Sequence, residues 1–143
     1  MLTRFCSAFL SFRGRISRLT YWKRSLQAGL VALPFVFAGL LVASYSRVAF
    51  FALVGFGLAI SLGGWASITV RRFHDLGRNG WLGLAAVALS AGLSYAVEEA
   101  SGALFVMAVA ASCVSLALFV YLGFVRGTPG ANAYGPNPHA PDA

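Results

Sequence analysis

Four runs of about twenty largely apolar residues, at 25–46, 48–70, 81–97 and 103–125, limit what this chain can become. A helix rises 1.5 Å per residue, so about 20 residues cross the roughly 30 Å of hydrocarbon in a bilayer. The third run is the shortest, but it opens on Trp81, a residue type suited to the membrane interface. The first two runs are separated only by "SYSRV", whose Arg47 belongs in water rather than hydrocarbon. That break predicts a tight helical hairpin in preference to one long helix. Composition points the same way. Charged residues make up 10% of the chain, against about 25% in a typical soluble domain, so a water-facing surface could not be built from them. The expected fold is an all-α integral membrane protein. Four transmembrane helices form two hairpins, preceded by a short amphipathic interfacial helix.

Orientation follows from the basic residues. With the N-terminus inside, Arg4, Arg13, Arg15, Arg18, Lys23, Arg24, Arg71, Arg72, Arg78 and Arg126 are all internal, leaving Arg47 with Glu98 and Glu99 outside. Both termini are therefore expected in the cytoplasm. The basic lead of 24 residues is too long for a cleaved signal peptide. The expected organisation is a cytoplasmic interfacial segment at 1–24, a transmembrane domain at 25–126 and a Gly/Pro/Asn-rich cytoplasmic tail at 127–143. The net charge of +7 suits anionic lipid. No stretch mixes basic and aromatic residues as a nucleic-acid surface would, so no nucleic acid is expected. Cys6 and Cys113 form neither a metal-ligand spacing nor a disulfide framework, and no cofactor or metal is expected.

Within the runs, Gly55, Ala59, Gly63 and Ser67 recur every four residues, as do Ala86, Ser90 and Ser94. Small residues at that spacing let helix backbones approach closely. Packing within the molecule is the first reading of these faces, and a homo-oligomer or a membrane-protein partner the second. No run carries a Lys, Arg, Asp, Glu or His away from its ends, which argues against ion-coupled transport.

The polar chemistry is confined to three internal stretches. Leu2, Phe5, Cys6, Phe9 and Leu10 repeat at helical spacing, so residues 2–11 can lie flat on the membrane. Gly14 breaks that pattern, Ser17 can cap the next helix, and Tyr21 and Trp22 suit the headgroup level. The inner loop reads "RRFHDLGRNGW" at 71–81, and the tail "RGTPGANAYGPNPHAPDA" predicts turns. Its last residues, 139–143, read as disordered, whereas "NAYGPNP" can fold back on the cytoplasmic face.

Together, "FRGRISRLTYW" at 12–22, "RRFHDLGRNGW" at 71–81 and "GTPGANAYGPNP" at 127–138 resemble the three signatures of a bacterial membrane family, domain of unknown function 805. The resemblance spans about 9–138. It marks Gly14, Arg15, Arg18, Trp22, Arg71, Arg72, His74, Asp75, Gly77, Gly80, Trp81, Asn132, Tyr134, Gly135, Pro136 and Pro138. Thr20 and Ala133 depart from the pattern, where family members often carry an acidic and a basic residue. The resemblance implies location and architecture, and no activity.

Three roles suit the polar cluster. Arg71 and Arg72 end a helix, where cations favour its negative pole. Asp75 can pair with Arg71, Arg72 or Arg78, making a structural clip in the loop. Alternatively Arg15, Arg18, Arg71, Arg72, His74, Asp75, Arg78, Asn132 and Tyr134 together bind an anionic headgroup, because guanidinium forks match phosphate oxygens. The third role is acid–base chemistry on a lipid phosphate through His74 and Asp75. No nucleophile stands beside that pair. The expectation is a structural or interaction protein whose Arg-rich inner face binds anionic phospholipid or an acidic partner. An enzyme, or a small transporter, is the alternative.

Overall fold

The structure, a computed structural model, describes residues 9–85, 88–89 and 102–138. Its named helices are α1 (Arg18–Val42), α2 (Arg47–Asp75) and α3 (Ala103–Phe124). All three carry a stretch long and apolar enough to cross a membrane: 25 residues in α1, 29 in α2 and the 20 of Phe105–Phe124 in α3. The described residues form no strand, only one isolated bridge between Asn132 and Gly135. The protein is thus an all-helical membrane protein. The chain forms two compact units, Met1–Arg13 with Leu19–Ile68, and Gly14–Arg18 with Thr69–Ala143.

In the first unit α1 and α2 are separate helices. The Tyr45 and Ser46 amides donate to the Val42 carbonyl at 3.0 and 2.9 Å, closing the turn. Ser46 Oγ then accepts the Ala49 amide at 3.2 Å, an N-cap that starts α2. The pairings across the hairpin run in opposite directions along the chain. A Cβ on Gly39 would meet Val54 at 2.9 Å, and one on Gly57 would meet Phe35 at 2.6 Å. Ser61 Oγ donates to the Ala28 carbonyl at 2.7 Å. Small residues therefore set how closely the two backbones approach.

Helix α1 begins at Arg18, earlier than the apolar run at 25. Its buried residues Tyr21, Ser25, Ala28, Ala32 and Gly39 lie on one face, and that face starts within the polar turns. Pro34 sits inside α1 and withholds one amide from its ladder. Residues 9 and 10 are helical and Ser11 is not, while 2–8 of the expected interfacial helix lie outside the described residues. Phe9 is buried against Gly64, and Leu10 touches Gly63. Ser67 Oγ donates to the Ser11 carbonyl. Gly63 and Ser67 thus receive the N-terminal segment, whereas a Cβ on Gly55 would meet nothing within 4 Å.

In the second unit α2 continues to Asp75, five residues beyond the expected end at 70. The cause is where its stop signal lies. Gly77 takes φ +70°, the Arg78 amide donates to the Phe73 carbonyl at 2.9 Å, and the Gly77 amide donates to the His74 carbonyl at 3.0 Å. This paired pattern ends a helix at a left-handed glycine. The basic and acidic residues read as loop are therefore the last helical turn. The chain turns helical again at Gly80, where a Cβ would meet the Val70 Cα at 2.6 Å, and Gly83 abuts the Phe73 ring. The third run is helical at 80–85 and 88–89; the rest of it, with the Ala86, Ser90 and Ser94 face, lies outside the described residues.

Candidate functional site

Asp75 organises the second unit. Its carboxylate accepts from Arg15 Nε at 3.0 Å on Oδ1 and from Arg72 Nη1 on Oδ2. Arg15, Arg72 and Asp75 are 7%, 0% and 1% exposed, so this charge triad lies inside the protein. A buried charge is tolerated when it is paired and its remaining hydrogen-bond capacity is used. Both conditions hold here. Arg15 also donates through Nη1 to the Gly130 carbonyl at 2.7 Å and through Nη2 to the Thr128 carbonyl at 2.7 Å. Arg72 Nη1 reaches the Ile16 carbonyl at 3.3 Å, while Nε reaches Leu122 at 2.7 Å and Nη2 reaches Val125.

These bonds answer a need that every helix creates, since its last carbonyls have no partner within it. At the end of α3, Leu122 and Val125 accept from Arg72, and Phe124 accepts from Arg18 Nη1 at 3.2 Å. At the end of α2, the Asp75 carbonyl accepts both the Thr128 amide at 2.8 Å and Thr128 Oγ1 at 3.1 Å. The His74 carbonyl accepts Asn132 Nδ2 at 2.9 Å. Cations at two helix C-termini also oppose the negative pole of each macrodipole.

The tail is an ordered strap over residues 126–138. Asn132 and Gly135 exchange amide–carbonyl bonds at 3.1 Å, and Asn132 Oδ1 accepts the Tyr134 amide at 2.9 Å. Gly130 and Gly135 take φ +71° and +136°, values that glycine reaches without a Cβ penalty. Tyr134 thereby stacks on His74, whose Nδ1 lies 3.3 Å from the Gly14 carbonyl.

The three sequence signatures meet in this unit. Arg15 joins Asp75, Arg72 and the tail carbonyls, and His74 joins Gly14, Asn132 and Tyr134. The Asp75 partners are Arg72, as the sequence allowed, and Arg15, which lies 60 residues away. Neither ion pair involves Arg71 or Arg78. Arg71 is half-buried and Arg78 is exposed beyond the helix stop. Sequence reasoning passed over Thr128, Gly127 and Arg126 as site residues. The fold explains Gly127: a Cβ there would overlap the Asp75 carboxylate.

Beside the triad lies a cavity of about 220 Å³, lined by Arg18, Asp75, Arg126, Gly127, Thr128, Pro129 and Asn137. Arg126 is exposed and makes no hydrogen bond or ion pair among the described residues. No three His, Cys, Asp or Glu side chains gather to hold a metal ion among those residues.

A family model described as protein of unknown function (DUF805) matches residues 9–136. No curated protein and no solved structure matches the chain.

Proposed function

The chain belongs to the DUF805 family, and from that premise we propose a four-span protein of the bacterial cytoplasmic membrane whose arginine-rich inner face binds anionic lipid headgroups. Both termini face the cytoplasm. The run at 81–97 supplies the remaining span, and the basic residues keep to the inner side.

The charge balance of the second unit carries this reading. Asp75 is the only acidic residue among the described ones, and it is already shared by Arg15 and Arg72. Arg18, Arg78 and Arg126 have no acidic partner among those residues. Each basic group near an anionic membrane surface contributes about 1 kcal/mol of attraction. Arg15 and Arg72 act differently: the first positions the strap and the second closes the end of α3. Acid–base chemistry is less well supported, because His74 stacks on Tyr134 while Asp75 faces the two arginines.

Native mass spectrometry of the purified protein tests this. Wild type should retain phosphatidylglycerol in preference to phosphatidylcholine, and added salt should weaken retention, since exposed charges are screened over roughly 8–10 Å. The combined R18Q, R78Q and R126Q variant should lose the preference, while R47Q keeps it. Equal retention of both lipids by wild type would overturn the proposal.

A further inference from the structure

We infer that the cavity beside the triad receives the phosphate monoester of a lipid headgroup, held by Arg18 and Arg126. This rests on the anionic-lipid reading and narrows it to one place and one chemistry.

Size comes first. At about 220 Å³ the cavity is smaller than the roughly 300–1,000 Å³ typical of sites that enclose drug-sized ligands. It admits a phosphate and a few further atoms, leaving an acyl chain outside.

Charge comes next. The end of α3 would by itself repel an anion, because its free carbonyls form the negative pole of the helix. Here the carbonyls of Leu122, Phe124 and Val125 are occupied. Arg72 takes Leu122 and Val125, and Arg18 takes Phe124 with Nη1 alone, leaving its Nε and Nη2 to serve a ligand. Asp75 lines the cavity, yet it is 1% exposed and shared between two guanidinium groups, so the triad as a whole is positive. Arg126 adds an exposed fork with no partner among the described residues.

The count of acceptors selects the ester. A phosphodiester has two free oxygens and one charge, which a single bidentate guanidinium satisfies. A monoester has three terminal oxygens and a charge of about −1.5 to −2 near neutral pH. Two arginines around one small cavity match the second pattern.

The experiment compares phosphatidic acid with phosphatidylglycerol by native mass spectrometry of the full chain, with soluble glycerol 3-phosphate as competitor. Wild type should hold phosphatidic acid about tenfold more tightly, the order expected from one additional hydrogen bond between charged groups. R126Q and the charge reversal R126E should reduce phosphatidic acid to the level of phosphatidylglycerol. Because Arg126 is exposed, these variants keep the fold; R18K gives a second, conservative probe and should reduce the ratio in part. Equal binding of the two lipids by wild type would overturn the monoester assignment while leaving the anionic-lipid reading intact. Retention of neither lipid would overturn both. Displacement of phosphatidic acid by equimolar glycerol 3-phosphate would assign the cavity to a soluble phosphate and overturn the lipid assignment.

Discussion

The imidazole of His74 lies flat on the phenol ring of Tyr134, with centroids 3.9 Å apart and planes 4° from parallel. It joins the last turn of α2 to the tip of the strap. Ring pairs contribute about 0.5–1.5 kcal/mol beyond the area they bury. Tyr134→Ala should therefore speed amide exchange at Asn132 and Gly135 while leaving the α2 amides protected. Tyr134→Phe should match wild type, because the phenol hydroxyl makes no hydrogen bond among the described residues. Hydrogen exchange with mass analysis reads both, and unchanged strap protection in Tyr134→Ala would refute the role given to the ring.

Asp75→Asn keeps shape and removes charge. Arg15 and Arg72 would then be buried cations with no counter-ion, since Asp75 is the acid in both ion pairs. Breaking one member of a buried pair costs about 3–5 kcal/mol. The exposed Arg78→Gln should stay within about 0.5 kcal/mol of wild type. Thermal unfolding in detergent should show a lowered Tm for the first and little change for the second.

Gly127 offers a steric test of the same contact. A methyl group there would be driven into the Asp75 carboxylate, whereas one on Gly55 would enter open space. Overpacking typically costs about 1–3 kcal/mol. Gly127→Ala should lower Tm and loosen the strap, and Gly55→Ala should do neither. A tolerated Gly127→Ala would mean that the close approach of strap and carboxylate is dispensable.

Topology can be read independently. Reporter fusions after Arg78 and after Tyr134 should both report cytoplasm, and one between Ser44 and Arg47 should report the outside. A cytoplasmic signal from the 44–47 turn would remove the inner-face assignment of the arginines.

Three of the four apolar runs were legible as α1, α2 and α3 because span length is fixed by bilayer thickness, and the break at Arg47 separated α1 from α2. The end of α2 was harder. Arg71, Arg72, His74 and Asp75 look like loop by polarity, but Gly77, not polarity, ends the helix. The signatures marked Arg15, Arg72, His74, Asp75, Asn132 and Tyr134 without saying who meets whom. Arg15 meets Asp75 across 60 residues, and its other acceptors are backbone carbonyls of Thr128 and Gly130. Carbonyls belong to every residue, so their use as ligands leaves no mark in a sequence. Arg126 looked like one more orientation charge, and only the fold makes it a cavity wall.

The bond from Arg15 to the Thr128 carbonyl has a meaning in time as well as in space. Its two ends lie 113 residues apart, with α1, α2 and α3 between them. Synthesis runs from the N-terminus, so Arg15 emerges early and must wait for the strap that completes its coordination. Until then the guanidinium group of Arg15 lacks its Thr128 and Gly130 acceptors, and the α2 carbonyls lack Thr128. The strap thus supplies the last bonds of the buried cluster. A chain cut before Thr128 would keep the closed end of α3 but leave Arg15 short of two acceptors and the end of α2 bare.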